Sequence, residues 1–205
     1  MDLERELGQK ADNQQAQIIQ EQFDIAMGYE TQRDFQLARE IYQKLLGEDV
    51  SESQRFNIYK NMGNVSLKLS ELNLAEGCYG KASVLFPKSP VLAVNLGVLE
   101  IQKGDLDKAK THFLKALNLE PENDVAWVGL SLVHRAHSDH DLSRACVLRA
   151  LDSNPVNKTA LVHYYQWCRD DSVEASLTAI NTYLETNPSD QEIRSLLMKY
   201  QEVTS

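Results

Sequence analysis

The stretch NLGVLEIQKGDLDKAKTHFLKALNLEP, residues 95–121, decides the fold of this chain. Its last residue is Pro121, and prolines also stand 34 residues before and after it, at Pro87 and Pro155. Two series of small residues keep the same step: Gly63, Gly97 and Ser131, and Ala75, Ala109 and Ser143. A fixed period of this size predicts stacked helix–turn–helix units, each of which buries its apolar face only against its neighbours.

The composition fits one helical domain or a short array of repeats. Of the 205 residues, 42% are hydrophobic and 25% are charged, with only nine glycines and five prolines. Since β-branched residues do not alternate with polar ones, an all-α fold is predicted. No run of about 18 apolar residues occurs, which predicts a chain without a membrane-spanning helix. The N-terminal stretch lacks the apolar segment of a signal peptide, and three cysteines without close pairing favour free thiols, so we expect a cytoplasmic protein.

The charge of the chain excludes one large class of partner. The formal net charge is −9, and residues 1–55 alone hold 12 acidic and 6 basic residues. An acidic chain without a basic stripe repels phosphate backbones, so we expect no nucleic-acid partner.

The repeat divides the chain into five units flanked by two short segments. Residues 1–17 are a polar, glutamine-rich extension, and the array covers residues 18–189, with units at about 19–52, 56–89, 90–123, 124–157 and 158–189. The last unit is degenerate, because it is one residue short and has Tyr165 where a small residue is expected. Residues 190–205 follow a cap signal at Ser189 and Asp190 and carry their apolar residues on one stripe, which predicts a helix that caps the end of the stack.

This pattern of 34 residues resembles the tetratricopeptide repeat family. The resemblance spans roughly residues 19–188 and is strongest in NMGNVSLKLSELNLAEGCYGKASVLFP, residues 61–87, and in residues 95–121. In that family the first helices of the units line a concave groove that holds a peptide or an extended segment of a partner. The resemblance therefore implies a right-handed α-solenoid that acts as a scaffold or adaptor.

The resemblance also implies which residues face the groove. In the family these residues lie three before, one after and four after the small residue of each first helix. In this chain they are Phe23, Met27 and Glu30 in the first unit, Lys60, Asn64 and Leu67 in the second, Val94, Val98 and Ile101 in the third, Val128, Leu132 and Arg135 in the fourth, and Val162, Gln166 and Arg169 in the fifth. The middle of the predicted groove is aliphatic, which favours an apolar or amphipathic protein segment as partner. Alternatively, a tightly curled array would bury these side chains against itself or against the N-terminal segment.

Lys60, Asn64 and Asn95 allow a second interpretation. Some members of the family hold a C-terminal carboxylate with basic and amide-bearing residues from three consecutive units. Lys60, Asn64 and Asn95 match the first three of those positions. Val125 and Gly129, however, stand where basic residues are expected. Because one ammonium and two amides hold a carboxylate weakly, we interpret Lys60 and Asn64 as a polar rim and Asn95 as a group that anchors a peptide backbone.

No residue pattern indicates catalysis, so we predict neither a catalytic residue nor a cofactor. The nucleophile elbow, the phosphate loop and the CxxC and HExxH patterns do not occur. His134, His137 and His140 are three residues apart, a spacing that can bring imidazoles to one metal ion. We interpret His134 instead as a packing residue and His137 as a favourable cation near a helix C-terminus, and we predict no metal site.

The sequence therefore predicts a non-catalytic scaffold that binds a segment of a partner protein in its concave groove. Two alternatives remain open. In the first, the chain is a chaperone that sequesters an apolar segment of a secreted or membrane-destined client. In the second, it forms a homo-oligomer through its N-terminal segment or its unusual fifth unit.

Overall fold

The computed structural model describes residues 2–167 and 173–204, with side chains for residues 14–167 and 177–199. Within these residues eleven α-helices follow one another and no strand occurs, which confirms the predicted all-α class. The helices are α1 Asp2–Thr31, α2 Phe35–Leu45, α3 Glu52–Lys68, α4 Leu72–Leu85, α5 Pro90–Lys103, α6 Leu106–Leu119, α7 Asp124–Ala136, α8 His140–Ser153, α9 Lys158–Trp167, α10 Val173–Thr186 and α11 Gln191–Thr204.

The chain forms two compact units, each larger than one sequence repeat, and from here on the first and second unit are these two parts of the chain. The first unit is Met1–Lys103 and contains α1 to α5, and the second is Gly104–Ser205 and contains α6 to α11. Inside each unit, every helix packs against the next one along the chain. The division falls within the third sequence repeat, because α5 belongs to the first unit and α6 to the second.

Each of the four turns inside a repeat that the structure describes contains one residue in the left-handed backbone conformation. These residues are Arg33, Ser70, Gly104 and Ser138, with φ between 61° and 82°. Only at residue 104 is this residue a glycine, which takes such a φ without steric cost. After Arg33, Ser70 and Ser138 the N–H group of the following residue bonds to the carbonyl five positions earlier, as from Glu71 to Ser66 at 2.9 Å, which closes the end of the first helix.

The connections between repeats follow from proline and capping residues. Helices α4, α6, α8 and α10 each end two residues before a proline, namely Pro87, Pro121, Pro155 and Pro188. Proline lacks the N–H group that would continue a helix and restrains the residue before it to extended conformations. The next helix then begins at a side-chain cap. The Ser89 hydroxyl accepts from the Leu92 N–H at 3.2 Å, and the Asn123 side chain accepts from the Ala126 N–H at 2.8 Å.

Two glycines allow aromatic rings to pack between helices. A Cβ atom on Gly63 would lie 2.3 Å from the ring of Tyr79, and one on Gly129 would lie 2.3 Å from the ring of Phe113. Both rings are fully buried. Since protein interiors are close-packed, neither ring has space to withdraw, and the helix that carries each glycine approaches the ring directly.

The N-terminal extension is part of the first helix. Helix α1 continues from Asp2 to Thr31, across the predicted boundary at residue 17. Ile19 and Ala26 on α1 are buried in one cluster with Tyr42 and Leu45 of α2. Residues 1–17 contain no proline and only one glycine, Gly8, and most of the others are good helix formers, so the helix continues through them.

Helix α11 lies against the helices of the fifth repeat. Its residue Ile193 is fully buried with Leu161, Ile180 and Tyr183. Asp190 stands at the start of α11 and accepts a hydrogen bond from the Ile193 N–H at 3.2 Å. The same carboxylate accepts from the Tyr183 hydroxyl at 2.8 Å and pairs with Lys158 at 2.9 Å.

Candidate functional site

A cleft of about 500 Å³ opens in the first unit. We call it the inner cleft. Helix α1 and the turn after it, α2, α3, α4 and α5 each contribute to it, with the lining residues Glu30, Arg33, Phe35, Asn64, Leu67, Lys68, Tyr79, Asn95 and Val98. Four of the residues predicted to face the groove therefore lie in one cleft, namely Glu30, Asn64, Leu67 and Val98, together with Asn95.

Two amide side chains and one tyrosine form a hydrogen-bonded group in the inner cleft. The Tyr79 hydroxyl donates to Oδ1 of Asn64 at 2.8 Å, and Nδ2 of Asn95 donates to the same oxygen at 2.8 Å. In the described part of the chain, Nδ2 of Asn64 and Oδ1 of Asn95 have no hydrogen-bond partner. One donor and one acceptor thus stay available at the cleft, which is what a peptide group requires.

The apolar lining of the inner cleft has limited exposure. Leu67 is buried at 8% exposure, whereas Phe35 and Val98 are half-buried. Val98 packs against the cluster that contains Tyr79 and Leu99. Because Phe35 and Val98 still expose part of their apolar surface, a ligand that covers them removes that surface from water.

Charges of both signs surround the inner cleft. The Tyr42 hydroxyl donates to Oε1 of Glu30 at 2.6 Å, and Nδ2 of Asn61 donates to the Tyr42 hydroxyl at 3.1 Å. Burial raises the pKa of Glu30, whereas the Tyr42 hydrogen bond and the nearby Lys60 act to lower it. Burial lowers the pKa of Lys60, and the charge of Glu30 opposes that change. The Glu30 carboxyl is therefore fixed in position beside a half-buried cation.

Several predicted groove residues of the first unit lie outside the inner cleft. Phe23 is half-buried and packs against the ring of Tyr42 in the core, with 5.5 Å between the ring centroids. Met27 is 49% exposed, Val94 is buried at 6% exposure, and Ile101 is half-buried. Phe23 and Val94 therefore contribute to packing, whereas Met27 lies on the surface.

The fourth and fifth repeats belong to the second unit. There Val128 is buried together with Ala150 and Ala160, and Leu132 is 37% exposed. Gly129, the position at which a carboxylate-binding member of the family would carry a base, faces the ring of Phe113, so no side chain fits at this position without a shift of that ring. The predicted groove residue Arg169 lies outside the described residues.

Sequence reasoning missed four residues of the inner cleft: Arg33, Phe35, Lys68 and Tyr79. The family pattern assigns groove positions on first helices only at fixed offsets, so residues of turns and second helices receive no assignment. For Tyr79 a signal was present. Tyr79 lies on α4 and its ring packs against Gly63 of α3. Asn64 follows Gly63 directly, and the Tyr79 hydroxyl donates a hydrogen bond to it.

The histidines that suggested a metal site have other contacts. His134 is buried at 7% exposure with Nδ1 at 3.4 Å from Asp139, and Nδ1 of His140 lies 2.9 Å from the Arg135 guanidinium. No group of three histidine, cysteine or acidic side chains within the described residues could hold a metal ion.

The described cysteines are free thiols that lie in the core. Cys78 and Cys146 are both buried, and burial raises the pKa of each thiol. A thiol with a raised pKa is a poor nucleophile, so neither residue suggests catalysis. The third, Cys168, lies outside the described residues. Among the helices that the structure describes, none is both long and apolar enough to cross a membrane.

Stacked helix pairs with a lined cleft define the class of helical repeat proteins. Within that class, residues 90–123 match the family model described as tetratricopeptide repeat. This match and the solved structures with the same fold confirm the resemblance that the sequence indicated. Comparison with curated protein sequences gives no match.

Solved structures with the same fold cover most of the chain. A thermophilic tetratricopeptide repeat protein from Thermus thermophilus is 16% identical, with a TM-score of 0.68 over 90% of this chain and 97% of that one. The APC/C hetero-tetramer Cut9–Hcn1 contains a chain that is 18% identical, with a TM-score of 0.65 over 87% of this chain. This chain spans only 35% of that longer one.

One similar structure was solved with a bound peptide. The first tetratricopeptide repeat domain of Spaghetti, bound to an HSP90 peptide, is 21% identical, with a TM-score of 0.52 over 58% of this chain and 94% of that one. At this level of identity the likeness shows a common fold.

Proposed function

We propose that this protein is a non-catalytic scaffold that binds an amphipathic segment of a partner protein in the inner cleft. One observation carries the proposal. Residues that sequence reasoning assigned to a groove from three different repeats, Glu30, Asn64 and Val98 among them, line a single cleft of about 500 Å³. That volume lies in the range of clefts that hold small ligands or parts of a peptide.

The chemistry of the cleft supports an amphipathic segment over a purely apolar one. The apolar surfaces of Phe35 and Val98 favour a ligand with aliphatic or aromatic side chains. The free donor on Asn64 and the free acceptor on Asn95 favour a ligand with exposed peptide groups. Since Glu30 and Lys68 carry opposite charges at the same cleft, polar residues beside the apolar ones also find partners.

The expected affinity for a short segment is weak. Covering Phe35 and Val98 contributes about 1.5–3 kcal/mol for each side chain if it becomes fully buried. Two hydrogen bonds to the amides add about 1 kcal/mol each. Association and ordering oppose these terms by several kcal/mol. These contacts alone therefore give at most millimolar binding to a short segment, and tighter binding requires a longer segment that reaches further contacts.

A selected peptide and one substitution test the proposal. Peptides are selected from a random displayed library on the immobilised protein, synthesised, and titrated by calorimetry against the wild type and against Val98→Glu. The variant places a carboxylate on a half-buried wall of the cleft. We expect at least a tenfold loss of affinity, because an apolar ligand surface would then have to desolvate a charge.

Val84→Glu is the matched control for this experiment. It makes the same chemical change in the same unit at a side chain that is 84% exposed and does not line the cleft. We expect unchanged affinity for the control and unchanged circular dichroism for both variants. If the selected peptides bind Val98→Glu as tightly as the wild type, the inner cleft is not the binding site.

A further inference from the structure

A second cavity in the first unit has a different chemistry. It also measures about 500 Å³ and lies between α3, the end of α4 and the loop that follows. We call it the Phe86 pocket, and its principal lining residues are Phe56, Leu85, Phe86, Pro87, Lys88 and Ser89. It shares no lining residue with the inner cleft.

The pocket exposes apolar surface in a turn where polar residues are usual. Phe86 is 40% exposed, and its ring meets that of Phe56 edge to face at 4.9 Å between centroids. A partly exposed aromatic pair beside a cavity provides a seat for one apolar side chain of a ligand, since aromatic rings contribute large areas to interfaces.

The charge at the pocket is positive in a chain that is acidic overall. Lys88 is the one charged residue among those that line it, and no residue in the described part of the chain pairs with its ammonium group. Lys81, seven positions earlier, places its ammonium 5.2 Å from the ring centre of Tyr59. With a net charge of −9 for the whole chain, the Lys88 cation at an apolar pocket favours a ligand that carries negative charge.

The equivalent turn of the next repeat shows that the turn backbone does not require these residues. Phe86 and Lys88 correspond, one period later, to Glu120 and Glu122. The backbone is nearly the same, with φ −131° and ψ 81° at Phe86 and φ −143° and ψ 90° at Glu120. The turn therefore accepts two glutamates, and its aromatic and basic residues call for a reason other than backbone geometry.

We propose that the Phe86 pocket docks a partner segment in which an aromatic or aliphatic side chain is flanked by acidic residues. The apolar side chain enters beside Phe56 and Phe86, and the acidic residues pair with Lys88. This contact is separate from the inner cleft, so one partner can engage both surfaces or two partners can engage one each.

Two blocked peptides test the proposal. Each contains one phenylalanine, flanked by two glutamates in the first peptide and by two lysines in the second, and each is titrated into isotope-labelled protein while backbone amides are followed by NMR. We expect the glutamate peptide to shift the amides of Phe56 and of residues 85–89 and to bind at least tenfold more tightly than the lysine peptide. The difference should shrink as salt is added, because the cation that selects the acidic residues is exposed.

The double variant Phe86→Glu, Lys88→Glu reproduces the turn of the next repeat and is expected to fold as the wild type. It should lose at least tenfold in affinity for the glutamate peptide, whereas Val84→Glu, which adds a carboxylate outside the lining, should lose less than threefold. Equal binding of the two peptides, shifts at Asn64 and Val98 instead of at the pocket, or full affinity in the double variant would overturn the proposal.

Sodium laurate serves as a further probe. Binding of laurate at the pocket without binding of the glutamate peptide would show a site for anionic amphiphiles and would equally overturn it.

Discussion

At the scale of single residues, Tyr79 connects the core of the first unit with the candidate site. Its ring fills the space beside Gly63, and its hydroxyl holds Oδ1 of Asn64 in the inner cleft. Asn64 in turn accepts from Asn95 on another helix. The position of the amides therefore depends on how closely the tyrosine ring packs against the glycine, so a change in core packing also alters the cleft.

Substitution of two glycines by alanine tests this packing. In Gly63→Ala the new methyl group would lie 2.3 Å from the Tyr79 ring, so the helices must separate. We expect a loss of about 1–3 kcal/mol in the free energy of unfolding, as is typical of overpacked cores. Gly77→Ala is the matched control on α4, where a Cβ meets nothing within 4 Å, and it should gain up to about 1 kcal/mol from helix propensity.

Urea unfolding of both variants measures the two effects. The interpretation of Gly63 as a packing residue predicts opposite signs for them. A gain in stability for both alanine variants would show that the Tyr79 ring moves aside at no cost, and the small residue would then need another explanation.

The repeat period predicts which residues lie at helix contacts better than it predicts how far each side chain is exposed. The period identified Gly63 as one of a series of small residues, and the structure gives the reason, because a Cβ there would meet the Tyr79 ring of the next helix. The period did not predict that Val94 and Val128 are buried at 6% exposure, because offsets from a family pattern give the direction of a side chain and not the depth of its neighbours. Arg33 also lines the inner cleft, but it lies in a turn, to which the family pattern assigns no groove residue.

At the scale of elements, the two ends of the chain differ in how well their sequence predicts them. A cap signal at Asp190 and an apolar stripe predicted a terminal helix, and α11 begins at Gln191. The polar composition of residues 1–17 predicted a separate extension, whereas α1 runs through it to Thr31 as one helix. Periodicity detects a helix by its apolar face, so a glutamine-rich segment without such a face is not assigned.

Asp190 connects the start of α11 to Tyr183 and Lys158 of the fifth repeat. Hydrogen bonds from Lys158 and then from Tyr183 lower the pKa of this carboxyl to about 2, from 3.8. A lowered pKa means that Asp190 stabilises the fold above about pH 3.8 and that this stabilisation is lost as the pH falls toward 2. We expect Asp190→Asn to lower the melting temperature at pH 7, and we expect its difference from the wild type to shrink as the pH falls through this window.

Glu192→Gln is the control for the capping helix. Glu192 also pairs with Lys158, at 2.8 Å, but its side chain is 61% exposed, whereas that of Asp190 is 14% exposed. Exposed ion pairs contribute little to stability, so this variant should melt near the wild-type temperature. Equal effects of the two substitutions would show that the charge of Lys158, and not the cap at Asp190, attaches α11.

At the scale of the whole molecule, the repeats have the same backbone conformation at their turns even where the residue type differs. The left-handed positions Ser70, Gly104 and Ser138 follow one another at 34 residues, and Arg33 precedes them by 37, as the longer connector before α3 requires. The sequence predicted the period and the turns between the helices. It did not predict the left-handed backbone at three of these positions, because arginine and serine are not typical of it.

This regularity predicts substitutions of opposite sign along the chain. A residue other than glycine in the left-handed region costs about 1–2 kcal/mol, and glycine costs about 0.5–1 kcal/mol in lost chain entropy. Ser70→Gly and Ser138→Gly should therefore each raise the free energy of unfolding by about 0.5 kcal/mol, and together by the sum if the sites share no partner. Gly104→Ala has open space for its methyl group, so its expected loss of about 1 kcal/mol comes from the backbone alone. Chemical unfolding of the double variant and of Gly104→Ala, each against the wild type, measures both effects. A loss of stability in the double variant would show that the serine side chains, and not the backbone, determine the stability of these turns.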